Sequence, residues 1–239
     1  MLKEAIEKIA SMAENKVHEI NGEFYSDERL VRVEPVKYRP EMQKVSSLDS
    51  VVKLIRSEIG AVSNQPVFIE VESYSRVNVY TTFSADDCKR DYLYRAESDT
   101  PRFEFGWKDH EAAMIAVRSQ FEQNEGTDYL LKLLSRITDE SKVSSKDNGV
   151  SQTVEVRKGV SLVANEVVRP RVSLRPFRTF LEVRQPESEF LVRVRENGDI
   201  GLFEADGGMW KLKAKRTIRQ YFESELAELT ADGKVIVMG

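Results

Sequence analysis

Val167-Val168-Arg169-Pro170-Arg171-Val172-Ser173-Leu174-Arg175-Pro176-Phe177-Arg178-Thr179-Phe180-Leu181-Glu182-Val183-Arg184 alternates apolar and charged side chains in two runs divided at Pro176. Side chains on a strand point to opposite faces at every step, so this alternation predicts strands buried on one face and exposed on the other. In the first run Val168, Val172 and Leu174 oppose Arg169, Arg171, Ser173 and Arg175. In the second, Arg178, Phe180, Glu182 and Arg184 share one face, against Thr179, Leu181 and Val183. Further on, Arg193 and Arg195 oppose Val192 and Val194, and Lys211 and Lys213 oppose Trp210 and Leu212. Asn197-Gly198 and Asp206-Gly207-Gly208 read as hairpin turns, and Ile200 to Ala205 as another strand. The expected fold is α+β. An antiparallel meander or a partly closed barrel occupies the C-terminal third, closed by a helix over Lys213 to Leu229 and a short strand over Lys234 to Met238.

Upstream, the period changes to that of helices in several places. Leu2, Ile6, Ile9, Ala10 and Ala13 place an amphipathic helix over Leu2 to Lys16, and Asn21-Gly22 marks a hairpin. Ser47 caps a helix over Leu48 to Ile59 that Gly60 stops. Strands are expected over Val67 to Ser73, Val77 to Phe83, Tyr92 to Ala96 and Arg102 to Phe105. A helix over Asp109 to Gln123 and one carrying Tyr129, Leu130, Leu133, Leu134 and Ile137 form an αα-hairpin. Asp139 to Asn148 reads as a linker. The expected organisation is an α+β region over 1–140 and an antiparallel β region over 151–239, or one continuous domain.

Composition bounds the function classes. The single cysteine, Cys88, rules out an intramolecular disulfide and points to a reducing compartment. No signal pattern opens the sequence, and no apolar run approaches the roughly 18–20 residues of a membrane span, so a cytoplasmic protein is expected. The net charge of −4 argues against coating duplex DNA by charge alone. The balance is uneven: residues 151–239 carry 15 Lys and Arg against 13 Asp and Glu, and residues 1–150 carry 21 against 27.

Much catalytic chemistry is missing. With two histidines, His18 and His110, and one cysteine, a Cys/His zinc site cannot be assembled in one chain. There is no nucleophile elbow, no Walker-type phosphate loop and no strand-borne Gly-x-Gly-x-x-Gly. His110 stands at a helix entry, where packing or capping outweighs a catalytic role. Glu70 and Glu72 share a strand face, and Asp86-Asp87 and Glu204/Asp206 are close in sequence, so a carboxylate–Mg²⁺ nuclease or phosphodiesterase is one alternative. No cofactor or resident metal is expected.

The candidate binding surface is therefore the cationic sheet face: Arg169, Arg171, Arg175, Arg178, Phe180, Arg184, Arg193, Arg195, Lys211 and Lys213. Guanidinium groups bind phosphates in bidentate fashion and stack on bases. Aromatic residues among cations on a sheet suit single-stranded nucleic acid or nucleotides. An ordinary solvated face, its arginines paired with Glu182, Glu187, Glu189 and Glu196, and a homo-oligomer interface are the competing readings.

Several phrases carry a resemblance. They are Leu174 to Val183, Gln185-Pro186-Glu187-Ser188-Glu189-Phe190, Leu202-Phe203-Glu204-Ala205-Asp206-Gly207-Gly208 with Trp210, and Trp107-Lys108-Asp109-His110-Glu111-Ala112. From about Val51 onward the chain resembles the prophage protein family of unknown function typified by YfdQ. The resemblance implies a phage or prophage origin and supplies no established activity and no catalytic residues; with the cytoplasmic expectation above, the expected location is the host-cell cytoplasm. The expectation is an accessory protein that binds an anionic nucleotide-type ligand without catalysis, either single-stranded nucleic acid or a host defence signalling nucleotide that it sequesters. The alternative from another class is a module that inhibits or scaffolds a host protein, working through the acidic N-terminal half.

Overall fold

The computed structural model describes residues 2–13, 17–26, 32–33, 39–62, 66–85, 87–101, 103–137, 142–147, 152–158 and 161–239. They fall in two compact units, Met1–Pro40 and Glu41–Gly239. In the first, helix α1 (Leu2–Ala13) precedes an antiparallel sheet of β1 (Val17–Ile20), β2 (Glu23–Ser26) and β3 (Arg32–Val33). Asn21 and Gly22 turn the β1–β2 hairpin with φ of 56° and 79°, the left-handed pair that a two-residue loop needs.

The second unit runs β4 (Gln43–Val45), α2 (Leu48–Val62), β5 (Val67–Ser73), β6 (Arg76–Thr81), β7 (Tyr92–Glu97) and β8 (Gly106–Lys108). Helices α3 (His110–Ser119) and α4 (Glu125–Arg136) follow, then β9 (Lys142–Asp147), β10 (Gln152–Lys158) and β11 (Ser161–Val168). It ends with β12 (Arg171–Leu174), β13 (Ser188–Val194), β14 (Ile200–Glu204), α5 (Trp210–Glu225), α6 (Ala227–Ala231) and β15 (Val235–Met238). The chain is thus α+β, and its sheets are open: no barrel closes among the described residues.

Three sheets are built from this unit. The largest has the order β15-β5-β6-β7-β4, with parallel pairing at its two edges and antiparallel pairing between. Its inner face presents Val67, Ile69, Val71, Val77, Val79, Leu93 and Ala96 to α2 and α5. A four-stranded antiparallel sheet, β12-β13-β14-β8, packs Val172, Leu174, Phe190, Val192, Val194, Ile200 and Leu202 against α3 and α4. The third sheet, β11-β10-β9, contributes Val154 and Val168 to that same core. One core therefore draws on residues from both sides of 140–151.

The helix starts follow capping chemistry. Asp109 accepts from Ala112 N–H, and Asn124 forms a reciprocal capping box with Thr127. The α3–α4 hairpin is as the sequence predicts. Helix α2 continues through Gly60, because that glycine stays out of the left-handed conformation that ends a helix.

Several expectations are corrected. Lys142 to Asp147 forms strand β9 where a linker was expected, since it pairs along its length with β10. Phe103 to Phe105 is not a strand; β8 lies just beyond it. The run Val167–Leu174 is two strands, broken at Arg169-Pro170. Asp206-Gly207-Gly208 leads into a helix rather than a strand. The Asp206 carboxylate accepts from Gly208 and Trp210 N–H, and Trp210, Ala214, Ile218 and Phe222 bury one stripe of α5. The strand reading of 210–213 is therefore replaced by the first turn of α5. Among residues the sequence singled out, Lys16, Asp86, Arg102, Asp139 and Asn148 lie outside the described ones.

The largest correction concerns 177–184, which is a loop. Gln185 is buried at its base. Its Oε1 accepts from the N–H groups of Arg178 and Thr179 at 3.0 and 3.2 Å, and its Nε2 donates to the carbonyls of Phe180 and Val183 at 3.0 and 3.3 Å. A side-chain amide thus takes the backbone groups that a neighbouring strand would have taken. Phe180, 1% exposed, joins the core of the large sheet, while Leu181 is 65% exposed. Arg178, Phe180 and Leu181 thus take the sides opposite to those of a strand, while Thr179 and Val183 stay buried and Glu182 and Arg184 exposed. Phe180→Ala should therefore destabilise the fold by about 3–5 kcal/mol, and Leu181→Ala by less than about 0.5 kcal/mol, in urea unfolding. Equal costs would show that the loop is not seated this way.

Candidate nucleic-acid interface

The ten candidate residues separate into five groups. Arg178 and Phe180 point inward. Arg178 is 6% exposed; its Nη1 donates to Glu204 at 2.6 Å, its Nη2 to Ser188 and to the Pro186 carbonyl, and its guanidinium lies 3.8 Å from the Trp210 ring centre. Burial lowers its pKa, and the Glu204 carboxylate opposes that shift. Neither Arg178 nor Phe180 is available to a ligand, because the loop turns both into packed surroundings. Arg184 is exposed on that loop. Lys211 and Lys213 are exposed on the first turn of α5, and Lys213 Nζ donates to the Glu187 carbonyl at 3.1 Å.

Arg169, Arg171 and Arg175 do converge. With Asn124, Glu125, Gly126, Ser173 and Glu187 they line a cleft of about 290 Å³ between β12 and the start of α4. Gly126 permits this close approach, since a Cβ there would stand 2.2 Å from the Ser173 carbonyl oxygen. The cleft is largely neutralised. Arg171 pairs with Glu189 at 2.9 Å, and Arg175 pairs with Glu187 at 2.8 Å and with Glu122 at 3.7 Å. Arg169 instead lies over the Tyr129 ring at 4.7 Å, and the Tyr129 hydroxyl accepts from its N–H. The Ser173 hydroxyl and the Arg175 guanidinium hold the Glu187 carboxyl below the usual carboxylate range.

Arg193 and Arg195 remain on the outer face of the four-stranded sheet, as their parity predicts. Val192 and Val194 between them are buried. Register places two rows across this face. Arg171, Leu191 and Phe203 face one another from β12, β13 and β14, and Arg193, Gly201 and Trp107 from β13, β14 and β8. Trp107 and Phe203 meet edge to face, with centroids 5.5 Å apart at 74°. The Arg195 guanidinium lies 3.9 Å from the Trp107 ring centre, and Arg195 has no carboxylate partner among the described residues. Arg193 is half-buried and donates to the Val192 carbonyl.

Trp107 and Phe203 were not among the sequence-derived site residues. The signal was present in the alternation Ile200-Gly201-Leu202-Phe203, where buried Ile200 and Leu202 force Gly201 and Phe203 outward. Trp107 carries no such signal, because β8 is three residues long.

The other candidates are engaged in structure. His110 Nε2 donates to the Leu134 carbonyl at 2.8 Å, tying α3 to the end of α4. Glu72 accepts from Asn78 at 2.8 Å and from Arg76 at 3.1 Å, and these bonds lower its pKa. Among the described residues no group of three or more His, Cys, Asp or Glu side chains is placed to hold a metal ion. No described helix is long and apolar enough to cross a membrane. No family model matches the chain, and neither a curated protein nor a solved structure matches it.

Two predictions follow from the pairs. Arg178→Ala strands Glu204 and should cost about 3–5 kcal/mol in urea unfolding; a loss near zero would place Arg178 at the surface. Glu187 titrates below its unfolded value, so its contribution is complete above about pH 4.3 and is lost as pH falls through the lower folded value. Glu187→Gln should accordingly flatten the drop in the urea midpoint between about pH 5 and pH 3 relative to the parent chain. An unchanged slope would mean that Ser173 and Arg175 do not act on this carboxylate.

Proposed function

We propose that the chain is a phage or prophage accessory protein that binds a nucleotide-type anion without catalysis, through the outer face of the four-stranded sheet. One observation carries the reading: Arg193 on β13 and Arg195 just after it lie on the side that also holds Trp107 and Phe203, with Val172, Leu174, Phe190, Val192, Val194, Ile200 and Leu202 committed to the opposite face. Guanidinium groups beside exposed ring faces recognise phosphate and base together. The phage origin rests on the resemblance of Leu174 to Val183 and of the phrases after it; the host-cytoplasm setting adds the cytoplasmic expectation from the sequence.

Between the two ligand versions, the geometry favours a strand over a sequestered small nucleotide. Small-molecule sites bury most of their ligand in an enclosed pocket. This face is open, and the adjoining cleft is walled by paired Arg–Glu side chains. A second reading, a module that docks on a host protein, draws on α1, whose Leu2, Ile6 and Ile9 are exposed along one stripe.

The test is fluorescence anisotropy with a labelled single-stranded oligonucleotide at several salt concentrations. The expected Kd is about 1–50 μM at low salt, weakening as salt rises. Arg193→Glu with Arg195→Glu should weaken binding at least about tenfold, since each replaces a phosphate-seeking cation with an anion. Absence of binding to any oligonucleotide in this range removes the reading, and recovery of a host partner insensitive to both substitutions favours the docking module.

A further inference from the structure

We infer that Trp107 and Phe203 form a stacking platform for unpaired bases, which makes single-stranded nucleic acid, rather than duplex or a bare polyanion, the substrate class of this face. The inference rests on the nucleotide-type reading above and specifies it.

The platform is assembled by register. Trp107 stands opposite Gly201 and Phe203 opposite Leu191, so the two rings come from adjacent strands and sit diagonally. Gly201 is what brings them together: a Cβ there would lie 2.6 Å from the Phe203 ring and 3.0 Å from that of Trp107. Any side chain at 201 would push the rings off the sheet. The result is an aromatic pair on the side away from the core, its rings meeting edge to face, with Trp107 37% exposed. Arg195 shows what that surface accepts. A planar cation already rests 3.9 Å from the indole centre, about the distance at which a base plane stacks. A base either extends this stack on the guanidinium or takes its place, freeing Arg195 for a phosphate.

Charge and width agree with a strand. Arg193 lies in the Trp107 row, two strands away, where the phosphates of a strand crossing the sheet would pass; Arg171, two strands from Phe203 in its row, is already paired with Glu189. Four strands at about 4.8 Å spacing give a width of about 14 Å, room for about two or three nucleotides. Duplex keeps its base faces stacked and gains nothing from the rings. The competing account is purely structural, the rings covering the backbone of Gly201.

Intrinsic fluorescence separates the two. The chain has two tryptophans, and Trp210 is 6% exposed, so quenching by added nucleic acid reports on Trp107. Oligothymidylate should quench emission and bind more tightly than a duplex of equal length or heparin of comparable charge. Trp107→Ala and Phe203→Ala should each weaken oligothymidylate binding about tenfold, while Trp107→Phe, which keeps a ring, restores most of the affinity. Circular dichroism checks that each variant is folded, and Trp107→Phe tests the ring if either alanine variant is not. Oligothymidylate binding that Trp107→Ala leaves intact but the double arginine reversal abolishes overturns the platform and leaves the anion-binding reading standing. Equal affinity for duplex overturns it likewise. Failure of every nucleic acid to bind removes both.

Discussion

The buried amide of Gln185 governs how the second unit is put together. The loop it organises leaves the four-stranded sheet at Leu174 and returns at Ser188, and between them it reaches the large sheet's core with Phe180 and Val183. Without an internal partner for the N–H groups of Arg178 and Thr179 and the carbonyls of Phe180 and Val183, that excursion would strand polar groups in an apolar setting. Glu122 extends the arrangement by accepting from Gln185 N–H, and Thr100 by donating to the Thr179 carbonyl. At the far end of the loop Glu182 accepts from Leu48 N–H at 2.7 Å and so caps α2. One short segment thereby fastens the αα-hairpin, the large sheet and a helix start to the strands on which the candidate interface stands.

The same loop reassigns charges. Arg178, pulled inward with Phe180, pairs with Glu204 and packs on Trp210, which in turn meets Tyr74 at 4.7 Å. A buried pair of this kind joins elements more than it adds stability, because desolvation offsets much of the Coulombic gain. On the outside, Arg171 and Arg175 are held by Glu189 and Glu187. The broad cationic face expected from alternation is thereby reduced to a smaller area. There Arg193 and Arg195 keep company with aromatic rings, and stacking has a role beside charge.

Sequence alone determined what depends on near neighbours. The capping of α3 by Asp109 and of α4 by Asn124, the Asn21-Gly22 turn, and the inward Val and outward Arg of β12 and β13 are local, because capping, turn geometry and strand parity act within a few residues. Position 177–184 shows the limit: its alternation mimics a strand, and only a partner outside that run, Gln185, decides that it is a loop. The pairing of Arg171 with Glu189, of Arg178 with Glu204 and of Trp107 with Phe203 was decided by the tertiary structure. Strand register and loop closure set those separations, and no sequence spacing encodes which distant carboxylate or ring a side chain will meet.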